Sequence, residues 1–112
     1  MSKRKAATAA APAISESYLD DFRRLLRLTA TELDGEIKDL ISAARDDLVL
    51  GGVLPERAQD EGDALVKRAI STYVKAEFGL DNDDAEKYRA SYQRQKIALA
   101  LSTGYIGESG EG

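Results

Sequence analysis

Apolar residues recur at helical spacings of three and four in four separate stretches of the chain. Tyr18, Leu19, Phe22, Leu25 and Leu26 share one helical face, behind Ser15 or Ser17 as an N-cap. Asp20 and Asp21 stand early in that helix and Arg23, Arg24 and Arg27 late, the order a helix dipole favours. A second stripe, Leu33, Ile37, Leu40, Ile41, Ala44 and Leu48, predicts a helix from about Thr31 or Asp34. It leaves Glu36, Lys38, Asp39, Arg45, Asp46 and Asp47 for solvent, and Gly35 marks a possible later start. Gly51-Gly52 stops this helix, because glycine takes the left-handed C′ conformation freely, and Pro55 forbids simple continuation.

The third stripe is the broadest: Leu65, Val66, Ala69, Ile70, Tyr73, Val74 and Phe78. It predicts a central helix, capped at Asp60 with Asp63 three residues on, and ended by Gly79. Asp81-Asn82-Asp83-Asp84 makes a tight connection whose last carboxylates cap a fourth helix, about Asp83 to Ser102. There Ala85, Tyr88, Tyr92 and Leu99 share a side, and Ile97, Ala100 and Leu101 widen the stripe before Gly104 closes it. No strand-type alternation persists. The expected fold is all-α, a small bundle of about four helices with flexible N- and C-terminal tails. The tails are 1–16, basic and Ala-rich, and 105–112, Gly-rich and acidic, around a helical domain at 17–104.

Composition narrows the chemistry. The 112 residues include no His and no Cys, which excludes His/Cys zinc sites, cysteine nucleophiles, disulfides and Ser-His-Asp triads. Asp81 to Glu86 is no calcium loop: its fifth position is Ala, its sixth lacks Gly, and its twelfth is Tyr92. Gly107-Glu108-Ser109-Gly110 lacks nucleophile-elbow spacing, and no phosphate-cradling glycine loop is present. No enzymatic activity, metal or cofactor is expected. No apolar run approaches the length of a membrane span.

The net charge is −4, yet Lys3, Arg4 and Lys5 are the only charged residues before Glu16, so residues 6–112 alone carry −7. A body that acidic repels a phosphate backbone. The basic head is a solubilising tail, a nuclear-localisation patch or a DNA-touching arm. The best case for DNA binding is the fourth helix, with Lys87, Arg89, Gln93, Arg94, Gln95 and Lys96. A small helical DNA-binding protein, a packaging subunit or regulator, is therefore the second reading.

The order of several segments resembles one family. Leu25-Leu26-Arg27-Leu28, Asp34-Gly35-Glu36-Ile37 and Leu40-Ile41-Ser42-Ala43-Ala44 are followed by Gly52-Val53 and Leu65-Val66-Lys67-Arg68-Ala69-Ile70. Then come Tyr73-Val74-Lys75-Ala76-Glu77-Phe78-Gly79, Asp81-Asn82, Tyr88, Ser91-Tyr92, Lys96 and Leu99-Ala100-Leu101-Ser102 with Tyr105. Over about 18–105 this succession is similar to tailed-phage head–tail connectors, also called head-completion adaptors or DNA-packaging proteins. The resemblance implies a ring, typically twelvefold, beneath the portal of a DNA-filled head. Such a ring extends the DNA channel and docks the next tail-completion or stopper protein. DNA passes through without specific binding. It also implies a virion protein at the head–tail interface, assembled in the host cytoplasm. The basic head is longer than the family pattern.

Within that frame Tyr88, Tyr92 and Tyr105 are candidates for subunit contacts, since tyrosine is enriched in such patches. Core packing is the alternative for Tyr88 and Tyr92. Val53, Leu54 and Pro55, in the Leu50–Pro55 loop, and the segment after Tyr105 are candidates for docking the adjoining ring. Asp46, Asp47, Asp83 and Asp84 are candidates for the channel wall.

Overall fold

In the computed structural model, which describes residues 13–79 and 82–107, each predicted stripe becomes a helix. The long ones are α1 (Glu16–Leu25) and α2 (Asp34–Leu50). Two single-turn helices join the set, α3 (Pro55–Ala58) and later α6 (Thr103–Ile106). Between these lie α4 (Ala64–Glu77) and α5 (Ala85–Ala100). No strand occurs among the described residues.

Local chemistry explains the boundaries. Ser15 caps α1, its Oγ accepting the Tyr18 amide at 3.2 Å. The end of α2 is a Schellman turn. Gly52 sits at φ +113°, its amide bonds the Val49 carbonyl at 3.0 Å, and the Val53 amide returns to Leu48 at 3.0 Å. That turn carries Val53 into the core. Pro55 stands at the first position of α3, where its missing N–H is not needed.

Two expected caps shift. Asp63, not Asp60, caps α4: its Oδ1 accepts the Leu65 and Val66 amides, each at 3.0 Å. Asp60 instead closes a local turn on the Gly62 amide at 2.9 Å. At α5 the carboxylates make no capping bond; the Asn82 side chain does the local work. Its Oδ1 accepts the Asp84 amide at 3.2 Å and its Nδ2 donates to the Lys75 carbonyl at 2.7 Å, which ties the turn back onto α4. Tyr105 and Ile106, expected in the tail, belong to α6; residues 108–112 and 1–12 lie outside the described residues.

The core is one cluster. Phe22 and Leu19 of α1 meet Ile37, Ile41 and Leu48 of α2 and Val66, Ile70 and Val74 of α4, all essentially without solvent contact. Helix α4 is central, packing against both α2 and α5. By contrast α5 buries only Ala85, Tyr92 and Leu99, one residue every two turns. Ile97 and Leu101, expected to widen that stripe, are exposed on the other side. Seven-residue steps return to one angle on a helix, so the fully buried residues of α5 share one line.

Two arginines are buried, Arg23 and Arg45, the second of them expected at the surface. Arg23 makes bonds of 2.8 and 2.7 Å to the two oxygens of Asp34, one of 2.8 Å to Glu16 and one of 3.1 Å to Asp20, and so locks α1 to the start of α2. Arg45 lies 5.7 Å from the Tyr18 ring centre and 3.5 Å from Glu61. Glu61 in turn accepts the Ser15 amide at 2.9 Å and hydroxyl at 2.6 Å. Desolvation, set against the nearby Arg45 charge, pushes the Tyr18 hydroxyl up to about 12.

Candidate assembly surfaces

The candidate residues fall into three places. At the end where α2 and α5 both finish, the Leu54 amide donates to the Tyr105 carbonyl at 2.7 Å. Leu54 also stands beside Gly107, where an added Cβ would meet its side chain at 3.6 Å. The expected docking loop and the root of the C-terminal segment are thus one surface. Pro55 is exposed on it, Leu54 is half-buried, and Val53 is 1 % exposed, its side chain spent on the core.

Tyr105 is held within the chain. Its hydroxyl donates to Asp63 at 3.2 Å and the Arg57 guanidinium lies 5.2 Å from its ring centre. The bond to the Asp63 carboxylate, joined by burial, raises the hydroxyl above its ordinary range. Arg57 completes the knot, its Nε donating to the Gly104 carbonyl at 2.9 Å. Sequence reasoning missed Arg57. Its only signal in the sequence is a cation two residues after Pro55.

Tyr92 sits at the centre, 3 % exposed. Its ring meets Tyr73 edge-on at 5.2 Å, and its hydroxyl donates to Asp47 at 2.6 Å. Lys96 reaches the same Asp47 oxygen at 3.0 Å. Burial works to raise the Asp47 carboxyl, but the bonds from Tyr92 and Lys96 outweigh it and hold it below the ordinary carboxylate range. Burial, then the Asp47 bond, raises the Tyr92 hydroxyl. Asp47 is therefore a structural link between α2 and α5.

Tyr88 is half-buried at the opposite end, with Lys75 4.8 Å from its ring centre. Near it Asp83 and Asp84 are exposed at the α4–α5 turn; Asp46 is exposed on the outer face of α2. The three tyrosines are spread along the body and do not form one patch.

The cations of α5 are largely answered. Arg89 binds Glu77 at 2.9 Å and Glu86 at 3.0 Å, Lys96 binds Asp47, and Lys87 lies 3.8 Å from Asp84. What the single chain leaves outside is greasy. Leu50, at the end of α2, is 85 % exposed, Leu101, the C-cap of α5, 77 % and Ile97, in its last turn, 56 %; Leu65 at the start of α4 is exposed as well. Large apolar side chains gathered on a small helical body mark a surface that other proteins cover. Among the described residues no helix is long and apolar enough to cross a membrane.

A family model described as a phage connector protein matches residues 18–106, and the chain belongs to that family. The protein is thus a phage connector. No curated protein and no solved structure matches the chain significantly.

Proposed function

We propose that the protein is a head–tail adaptor that assembles as a ring, a dodecamer, beneath the portal, extends the DNA channel and docks the next tail-completion protein. The observation that carries this reading is the exposure of Leu50, Ile97 and Leu101 on a chain of the connector family. Neighbouring copies remove that surface from water. The Leu54–Pro55 and Tyr105–Gly107 surface docks the adjoining ring, and the exposed Asp83 and Asp84 border the lumen. Carboxylates there keep DNA sliding, since like charge denies the phosphates a foothold. Arg89 and Lys96 of α5, already neutralised by Glu77, Glu86 and Asp47, favour this reading over a DNA-recognition helix.

The test is electron microscopy of the purified chain with and without its portal, alongside a salt-dependent gel shift with duplex DNA. Rings on the portal and no retarded DNA are expected. A chain that ignores the portal and forms a defined complex with duplex DNA at physiological salt overturns the proposal.

A further inference from the structure

The solvent faces of α2 and α5 match each other. On α2, Gly35, Asp39, Ser42, Asp46 and Leu50 are all exposed and lie opposite the buried Ile37, Ile41 and Leu48, as a turn of 3.6 residues requires. On α5, Lys87, Ala90, Arg94, Ile97 and Leu101 are all exposed, opposite Ala85, Tyr92 and Leu99. Their steps of three and four are those of a helix that packs along another helix. The α2 face is acidic and the α5 face basic. Each pair of charges, Asp39 and Asp46 or Lys87 and Arg94, is seven residues apart, and each face ends in leucine. Among the described residues Asp39, Asp46 and Arg94 join no ion pair, and Lys87 reaches only Asp84.

We propose that α5 of one copy lies along α2 of the next, both running the same way, with a constant shift of 48 in residue number. This inference rests on the ring reading and names its contact. The shift sets Arg94 beside Asp46, Lys87 beside Asp39 and Glu86 beside Lys38. It puts Ala90 against Ser42, small against small, where the backbones can approach. Leu50 falls at Ala98, between Ile97 and Leu101, so the exposed apolar residues of both helices close together. At the far end Glu36 would face Asp84, and that repulsion limits the seam to the four turns from Lys38 to Leu50.

The direction follows from the fold. Residues after α2 bond to residues after α5, through Leu54 and Tyr105, so the two helices finish at the same end of one chain. Rotation about an axis along them carries one copy to the next without reversing either helix. The contact joins two different surfaces, which leaves each copy one free face on either side, as a closed ring needs.

The chain has no cysteine, which makes the contact easy to trap. A Ser42→Cys/Ala90→Cys chain, oxidised at high concentration and on portal-bearing heads, is expected to give a ladder of disulfide-linked multimers. A mixture of the two single variants is expected to stop at covalent dimers. In parallel, Asp39→Lys/Asp46→Lys and Lys87→Glu/Arg94→Glu are each expected to lose assembly at least tenfold. Their equimolar mixture is expected to regain it, because each supplies the face that complements the other; that rescue also shows that both variants fold. Rings without a ladder, insensitive to either charge reversal, overturn this contact and leave the ring reading standing. A chain that stays monomeric both alone and on the heads overturns both.

Discussion

The amide of Leu54 and the carbonyl of Tyr105, 2.7 Å apart, join the loop after α2 to the turn after α5. This bond, with the Tyr105–Asp63 and Arg57–Gly104 bonds around it, anchors the chain at Tyr105. Removing residues 108–112 is expected to leave thermal stability unchanged and to weaken head completion. Removing 105–112 is expected to cost about 1–3 kcal/mol, from lost packing and unpaired polar groups. Denaturant melts of the two truncations separate the effects; equal melts would show that Tyr105 anchors nothing.

Asp63 serves two masters, the N-terminus of α4 and the hydroxyl of Tyr105. Asp63→Ala is expected to destabilise by about 1–2 kcal/mol, the usual range for a lost cap. Asp60→Ala, which loses one turn bond, is expected to stay within about 0.5 kcal/mol. Urea unfolding of both variants ranks them. The reverse order would return the cap to Asp60.

Arg27 and Gly35 each stand where a different residue would be more stable. Arg27 occupies the left-handed C′ position of α1 at φ +62°, with the Leu28 amide closing on the Arg23 carbonyl at 2.8 Å. Gly35 lies inside α2, and a Cβ there would meet nothing within 4 Å. Arg27→Gly and Gly35→Ala are each expected to stabilise by about 0.5–1 kcal/mol, by relieving strain and by restricting the unfolded chain respectively. Calorimetric melting midpoints should rise in both.

Acid should loosen α1 first. The Arg23 bonds hold the Asp34 carboxyl below its ordinary 3.8, and the Lys67 bond does the same for Asp21. At Glu61, burial pushes upward, but the Ser15 bonds and Arg45 prevail and hold it below 4.5. All three carboxyls bind protons more readily when unfolded. Their stabilisation is complete above the ordinary values and is lost as pH falls below them, through the folded ones. Tyrosine fluorescence or near-ultraviolet dichroism across pH 2–6 is expected to show this loss (pH range of about that width). Asp34→Asn is expected to flatten part of the acid limb. An unchanged limb would mean that Arg23 does not hold α1 through Asp34.

Asp83→Lys/Asp84→Lys reverses charge at two exposed positions. Ring formation is expected to persist while DNA delivery falls, measured as completed heads against infectious particles. Normal infectivity with normal DNA retention removes these carboxylates from the lumen.

The assembly surfaces were only partly legible in the sequence. Val53 is a docking candidate by its place in the Leu50–Pro55 loop, yet the Schellman turn at Gly52 buries it. Tyr92 had two readings open, and its hydroxyl bond to Asp47 puts it inside. Arg57 stands out in the sequence only as a cation close to Pro55, because its role depends on the Gly104 carbonyl, 47 residues away, and on Asp63, the N-cap of α4.

Order and punctuation were settled by the residues alone: four amphipathic stripes, glycine stops, an all-helical body and the succession of segments that marks a connector. Local sterics and periodicity act within a few residues, so they need no knowledge of neighbours. Only the tertiary structure decided which polar groups go inside, as with Arg23 and Arg45, because a buried charge depends on partners beyond its own turn of helix. It also chose the inner side of α5. Ala85, Tyr92 and Leu99 compete there with Ile97 and Leu101 as two apolar lines on one helix, and periodicity fixes the angle between them without saying which one meets α4. Packing against α4 took the first line and left the second to water.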